Sequence, residues 1–547
     1  MLKFERQFLI SLFVCASMSC VYAQPAAPIL EPANTSGAYL NRILDNFQKT
    51  RLERQLKREI ENPEKTEKPT TASAAEPKMP EIRVTLKAVE FSRSSVLTPE
   101  QLKEMAAGYV NRELGIAELK EFIGGINNWY RSHGYITAIA ALPPQEIKDG
   151  KLKVLLIEGL IGNVRLAGNA NTRSGYIRSR LGIPQNELLD IRNLDRDLIQ
   201  FNGTNDIKAR IKLQAGEKPG TTDCYILVYE PQDKTGSLFI DTAGSKGTGE
   251  TRVGLTVADA SISGNRDSLT VTSLMSNTSK AAMLGYNFPI NRRGTRISFY
   301  HSFNNLLIDN AGLEIRGASR STGFSVTHPM RVGTSFKSEL IFDAHRQNSE
   351  NRVFGLTFVD DSENRFSIGS SFLRLSSGAA LYWRPTVVFC DYKGLGDDQK
   401  LRKYQLDAMW QKVLPGKRQL QCRLIGQKAC DEFIPSADQF FLGGMYSVRG
   451  YEESVIGGDS GINLKLDYLF PIGGFKTTKM FVFYDWGRIY GKSFANDRMI
   501  HALGFGFSHS FAGDSQVVFS VGYPLVKELN VQAVDGQKLE LSMNVSF

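Results

Sequence analysis

Beyond its N-terminal residues this chain of 547 contains no stretch of 18 or more apolar residues, so nothing in the mature chain can cross a bilayer as a helix. That absence leaves strand-built membrane proteins open. Cysteine is scarce too: of six, Cys15 and Cys20 lie in the first apolar run, leaving Cys224, Cys390, Cys422 and Cys430. Four thiols allow three complete pairings and the spacing selects none. The segment from Cys422 to Cys430 either closes a loop or runs along one strand. Enzymatic signatures are missing: there is no HExxH, no GxSxG and no Cys/His metal spacing, and the six histidines are scattered. The reading is therefore of a non-enzyme with no cofactor and no metal. A phosphate-binding GxxxxGK[ST] loop is absent as well, so any vectorial motion must draw on something other than a nucleotide bound here. A formal charge of +9 spread along the whole length argues against nucleic acid as a partner.

At the N-terminus, Lys3 and Arg6 precede the apolar run that starts at Phe8 and ends at Ala16, too short for a membrane span. This pattern reads as a secretory signal over 1–23, with Val21 and Ala23 before the cut and Gln24 starting the mature chain. Acylation at Cys20 is the alternative, which Ser17 fits poorly. The composition, 22% charged with 49 glycines and 10% aromatics, matches barrels whose lumen is wet and whose outer face alone is apolar.

Residues 24–36 are rich in Pro and Ala and read as disordered; Thr35 or Ser36 then caps a helix over 37–62, which Pro63 ends. Its apolar residues Leu40, Ile43, Leu44 and Phe47, then Leu52, Leu56 and Ile60, form a narrow drifting stripe on a helix otherwise covered with charged and amide side chains. Such a helix cannot sit in an apolar core. It either docks loosely in solvent or stands as a polar rod in a water-filled lumen. Residues 63–80, nearly free of large apolar side chains, form a flexible tether.

Two small α+β modules follow, over 81–159 and 160–231. The first reads β-α-α-β-β: a strand from Ile82 to Val89, a helix opened by Thr98 and Pro99, a helix with Leu119, Phe122, Ile123, Ile126, Trp129 and Tyr130 on one face, and two strands around the Asp149-Gly150 turn. The second repeats that order. Three-stranded sheets leave edges that can accept an extended guest chain.

From Gly236 to Phe547 the helical period disappears, and segments of about ten residues alternate apolar and polar. Leu539, Leu541, Met543, Val545 and Phe547 oppose Lys538, Glu540, Ser542, Asn544 and Ser546. Roughly 310 residues at about 20 per strand and connection give an antiparallel transmembrane barrel of about sixteen strands. A soluble sandwich is the alternative, disfavoured by the terminal aromatic. Proline corners at Phe288-Pro289, His328-Pro329, Leu414-Pro415 and Phe470-Pro471 read as tight turns at the periplasmic rim.

Two motifs stand out in this region. Val448-Arg449-Gly450-Tyr451 falls where a long outer loop is expected, and Phe483, Asp485 and Gly487 alternate along a strand so that all three face the lumen if Val482, Tyr484 and Trp486 face lipid. Arg449 offers a planar fork for a carboxylate, and Gly450 permits close backbone approach. On residue chemistry alone, Arg449 either pairs with Asp485 or lies unrelated on a solvated loop.

These two motifs resemble the superfamily of barrel-assembly proteins and two-partner secretion transporters. Residues 130–162, with Gly134-Tyr135, Leu142-Pro, Gln145, Asp149-Gly150 and Glu158-Gly159, resemble the first POTRA (polypeptide-transport-associated) domain of the secretion (TpsB) branch. The resemblance implies a plug helix, a linker, two periplasmic POTRA domains, a barrel, and a pairing of Arg449 on an inward-folded loop with Asp485. Its implied function is export of a large unfolded partner exoprotein across the outer membrane, with an insertase of barrel proteins as the alternative. It further implies contact with outer-membrane lipid, recognition of the strand ending in Phe547 by the barrel-assembly machinery, and a monomer. One departure is Cys224, where an aliphatic residue is more usual.

Overall fold

The computed structural model describes residues 35–61, 83–218, 220–245, 247–310, 313–394, 398–431, 434–473, 477–491, 498–511, 514–529, 532–534 and 536–547. The expected signal peptide, residues 24–34, Asn62 and the linker 63–80 fall outside them.

The N-terminal helix runs Ser36–Glu61. Thr35 caps it as expected, its Oγ1 accepting the Ala38 N–H at 3.3 Å, and the helix begins at Ser36, one position before the expected start. A helix start has orphan N–H groups that need partners when buried. Here the Ser36 N–H donates to Asn351 Oδ1 at 3.0 Å, its hydroxyl donates to the Ala318 carbonyl at 3.0 Å, and Thr35 Oγ1 lies 2.9 Å from Ser436 Oγ.

In the first module the expected opening strand splits. Val84–Leu86 pairs antiparallel with Arg112–Leu114, a short strand the sequence reading missed, whereas Ala88–Phe91 pairs parallel with Lys151–Glu158. The break sits at Lys87, where the Gly150 carbonyl accepts both the Lys87 N–H (2.7 Å) and the Ala88 N–H (3.2 Å). Helix Pro99–Ala107 starts with a capping box between Thr98 and Gln101, and Ile116–Ser132 buries Phe122, Ile126 and Tyr130 against Leu152, Val154 and Leu156. The second module has strands Leu160–Ala167, Lys208–Ala215 and Thr221–Tyr229 and helices Ser174–Leu181 and Ile191–Thr204. Cys224 is fully buried there among Ile226, Ile207 and Phe201, where a thiol behaves as a small hydrophobe.

Glu158 closes the first module. Burial alone would raise its carboxyl, but Ser94, Ser95 and Tyr130 all donate to it, the Ser95 N–H at 2.7 Å and the Tyr130 hydroxyl at 3.0 Å. The donors win, and the folded-state value lies below the ordinary 4.5. A depressed carboxylate contributes stability that is present above the unfolded value and is lost as pH falls through the folded one. Hydrogen-exchange protection of residues 83–159, taken relative to the intrinsic amide rate at each pH, should therefore fall on acidification below the ordinary value. The Glu158→Gln variant should exchange faster at neutral pH and respond less to acid; an unaltered acid response would refute this role.

Sixteen antiparallel strands close the barrel, with the last, Lys538–Ser546, paired to the first, Lys234–Asp241. It starts two positions before the expected Gly236 because Lys234 already pairs with Asp259. Val253, Leu255, Val257, Leu503, Phe505, Phe507, Leu539 and Leu541 all point outward and stay exposed, as a lipid-facing belt must. Gly236 exchanges backbone hydrogen bonds with Phe547 (2.8 and 2.9 Å), and any Cβ at Gly236 would strike the Phe547 ring. Pro289, Pro415 and Pro471 stand at strand ends or turns as expected. His328-Pro329 does not: it lies inside the sixth strand, Leu313–Val332, at a bulge that absorbs the missing N–H. Cys422 lies on the eleventh strand, Arg418–Ala429, and Cys430 just beyond it, about 26 Å apart along an extended chain. All four thiols are free.

The second module docks on the turns at one end of the barrel. The Arg173 N–H donates to the Gly264 carbonyl at 2.8 Å, and Gln200 Nε2 to the Arg293 carbonyl at 2.6 Å. Arg266, fully buried, bridges Asp206 (Nε to Oδ1, 3.0 Å) and Asp233 (Nη1 to Oδ1, 2.6 Å).

Inside the barrel stands the N-terminal helix. Ser36 sits near the end away from the docked module, while Leu56 packs on Ala380 and Met409 toward the docked end. Of the two settings left open by its sequence, it occupies the lumen. At about 1.5 Å per residue it is about 39 Å long, more than the roughly 30 Å apolar thickness of a bilayer.

Candidate functional site

Between the eleventh strand and the twelfth, Ser460–Pro471, the chain folds inward. This loop carries a 3-10 turn, Ser436–Asp438, and a small hairpin of Phe440–Leu442 with Ile456–Gly458. Val448 and Tyr451 are fully buried among Leu442, Ile456, Ile489 and Ile500. The Tyr451 hydroxyl donates to the His501 carbonyl at 2.9 Å and accepts the Val526 N–H at 3.0 Å. Gly450, at φ +91°, stands back to back with Gly522 of the fifteenth strand: a Cβ on Gly450 would lie 2.9 Å from the Gly522 carbonyl carbon, and one on Gly522 2.5 Å from the Gly450 nitrogen. Neither position has room for a side chain.

That close approach aims Arg449 at the wall. Alternation along the thirteenth strand, Thr478–Tyr490, buries Phe483, Asp485 and Gly487 inward and leaves Val482 outward. Arg449 Nε donates to Asp485 Oδ2 at 2.7 Å, Nη2 to Oδ1 at 2.8 Å, and the Arg449 backbone N–H to Oδ2 at 3.0 Å. Two parallel bonds to one carboxylate form the fork that only arginine can make. The guanidinium also lies 2.8 Å from Asp467 Oδ1 and 3.7 Å above the centre of the Phe483 ring. Gly504 leaves room for that ring, and Gly487 for Leu442.

The loop's other side holds the helix. Arg42 Nη1 donates to Ser454 Oγ at 2.7 Å and its Nε lies 3.6 Å from Glu453 Oε1; Asn41 Nδ2 donates to the Ala437 carbonyl at 2.8 Å. Of the stripe residues, Leu40 and Ile43 are buried, Leu44 and Phe47 half-buried, with Phe47 edge-on to Phe239 at 5.6 Å. Tyr39 reaches Ser279 Oγ at 2.7 Å, and Glu53 meets Arg423 at 2.8 Å. One loop thus touches both the wall and the rod that fills the pore.

Sequence reasoning missed Asp467, although the alternation that turned Asp485 inward also turns Asn463, Lys465 and Asp467 inward on the neighbouring strand. It missed Gly522 and Glu453 as well, whose roles depend on where the loop travels. Glu363, Cys390 and Asp438 converge closely enough for a metal, but cations already hold this cluster: Lys403 Nζ lies 2.6 Å from Asp438 and Arg365 Nε 2.7 Å from Glu363. The cluster anchors the turn Ser436–Asp438 to the wall.

A family model for the haemolysin secretion/activation proteins ShlB/FhaC/HecB matches residues 220–509, and one for the ShlB-type POTRA domain matches 84–159. The chain belongs to the haemolysin secretion/activation protein family. Among its relatives is the heme/hemopexin transporter protein HuxB of Haemophilus influenzae (strain 86-028NP), 24% identical over 492 residues, with 84% of this chain and 86% of HuxB covered. Another is the outer membrane transporter CdiB of Dickeya dadantii (strain 3937), 23% identical over 403 residues, covering 69% and 70%. CdiB from Escherichia coli superposes with a TM-score of 0.68 at 19% identity, covering 95% of this chain and all of that one. BamA from Haemophilus ducreyi, lacking POTRA domains 1-3, gives 0.51 at 12% identity over 85% of this chain and all of that one. At these identities the structural likeness speaks for the fold alone. Family membership makes the chain an outer-membrane two-partner secretion transporter, and the insertase reading fits less well. Its POTRA modules lie in the periplasm, so the docked end of the barrel is periplasmic and Ser36 lies toward the cell surface.

Proposed function

We infer that this transporter exports one cognate exoprotein, unfolded, by exchanging it for the helix Ser36–Glu61 inside the barrel. The observation that carries this reading is the lumen itself: a pore is filled by a rod whose side chains are mostly polar and which is joined to the periplasmic modules through residues 62–82. Polar surface slides from one wet site to another at small cost, whereas a core helix could not leave. The POTRA modules capture the exoprotein's N-terminal secretion domain, with sheet edges holding an extended segment. Arg449, clamped between Asp485 and Asp467, keeps the inward loop against the wall so that a path remains when the helix goes. Val448, Gly450 and Tyr451 seat the loop; Phe483 and Gly487 shape the wall for it.

No catalysis enters this scheme, and the driving force is folding of the exoprotein outside the cell. The transporter acts as a monomer, with its exposed apolar belt in outer-membrane lipid. Its last strand, closed by Phe547, is the feature the barrel-assembly machinery reads on insertion. Deleting the gene and comparing surface and medium proteins by mass spectrometry should remove one large exported protein, while the other outer-membrane barrels keep their abundance. A general loss of barrels would instead favour an insertase.

A further inference from the structure

The sixth, seventh and eighth strands, Leu313–Val332, Phe336–Val353 and Leu356–Ser376, run to 20, 18 and 21 residues, about twice the 9–11 that span a bilayer. Their outward residues turn polar at Arg320 and Arg346, well before the tip of the hairpin that joins the seventh to the eighth. From Arg346 to Phe354 the chain rises a further 26 Å or so along the strand. The tip therefore stands in water above the membrane.

Its composition is wrong for that place. Phe354 is 70% exposed and Leu356 76%, and Phe358 is exposed beside them. Phe354 also adopts φ +51°, a left-handed conformation that costs a bulky residue and is rarely met outside glycine, asparagine and aspartate. Pairing of the eighth strand with the ninth, Ala379–Lys393, begins only at Ser362. Among the described residues, the backbone of 356–361 pairs with the seventh strand alone; the Asp361 side chain bonds Tyr392 of the ninth strand, but the other backbone edge of the segment has no ladder partner among them. Natural edges are usually blunted by charge or proline. Here Asp360 and Asp361 stand at the base, and no charge lies between Phe354 and Phe358.

The same edge borders the pore. Val359 and Asp361 line a small cavity with Thr35, Gly37 and Asn351, where the N-terminus of the lumen helix is seated. Ser36 bonds Asn351, whose register partner is Val359. Any chain leaving the lumen at this side emerges beside an unpaired, apolar strand edge.

Resting on the export reading above, we propose that 356–361 is a landing edge for the emerging exoprotein, which adds there as an extended strand with apolar side chains toward Leu356 and Phe358. Main-chain hydrogen bonds at the edge are indifferent to sequence, and the apolar tip favours chains with alternating apolar residues. The first segment out is thereby held in β conformation and kept from slipping back.

The test uses the full-length transporter in its own cells, with the exoprotein defined as the protein that vanishes from surface and medium on gene deletion. A benzophenone amino acid at position 356 or 358 should form an adduct with that protein during export. The same group at outward-facing position 346 should not. Leu356→Lys combined with Phe358→Lys should lower protease-resistant exoprotein outside the cell about tenfold, by charging the edge as natural sheets do. Heat-modifiable gel mobility shows whether the barrel is still folded. Adducts at 346 equal to those at 356 and 358, or normal export by the folded double-Lys variant, would overturn the proposal. If deletion removes no exported protein, the export reading itself fails, a different result from an absent adduct.

Discussion

Replacing Arg449 by Ala should reduce export at least about a hundredfold while the barrel still inserts, because the lost interaction is concentrated at one point of the loop. The change leaves Asp485, fully buried, and Asp467 facing each other without the guanidinium that bridges them, with Lys465, already bonded to the Met445 carbonyl, as the nearby cation. Breaking a buried charge pair by removing one partner costs about 3–5 kcal/mol. A barrel closed by sixteen strands of backbone hydrogen bonds can absorb that loss; the tip of the loop, which the fork aims at the wall beside the Tyr451 and Gly450 contacts, cannot, even though the Asp438 cluster still holds its base. Arg449→Lys should recover little. An ammonium is a point donor and cannot span both carboxylate oxygens while stacking 3.7 Å above Phe483. Export assays beside heat-modifiability gels separate the two effects. Normal export by a folded Arg449→Ala variant would remove the loop from the mechanism.

The second large effect concerns the lumen helix. Deleting residues 36–61 should raise single-channel conductance in planar bilayers several-fold and admit large antibiotics to cells, since a cylinder about 10 Å across leaves the pore. Tyr39, Leu40, Ile43 and Leu56 are its only fully buried large apolar side chains among the described residues, and most of its other contacts are polar bonds that water can replace. The remaining wall is polar, with Ser302, Asn304 and Asn463 among its inward residues, so the vacated lumen should stay wet rather than collapse. Conductance unchanged from the intact protein would mean that the loop alone seals the channel.

How much of this could be read in advance follows from which residues the environment constrains. Lipid constrains one face of every strand, so the alternation ending in Phe547 marked the barrel, and the length of the alternating region set its strand number. Helix Ser36–Glu61 was legible as a non-core helix because its stripe is narrow, but its partners were not: Glu453 and Ser454 lie roughly four hundred positions away. Arg449 and Asp485 were paired through a family resemblance; Asp467 could have been added from parity along Ser460–Pro471. The split at Lys87 stayed hidden because one carbonyl, that of Gly150, decides it. Above the membrane the two-residue pattern loses its meaning, since both faces meet water. The extension of the three long strands accordingly left no signature.

The direction in which the lumen helix lies has a kinetic consequence. Its first residue is near the cell surface and its last near the periplasm, so the withdrawal proposed above would take it toward the POTRA modules, to which the chain remains covalently joined. Residues 62–82 allow an excursion of about 70 Å at full stretch. Return is then a first-order process at an effective concentration near millimolar, set by the length of that connection and unaffected by how many copies the membrane holds. On the exchange proposed above, the permeability barrier would reseal after a substrate has cleared at a rate written into the chain, and lengthening 62–82 should slow it.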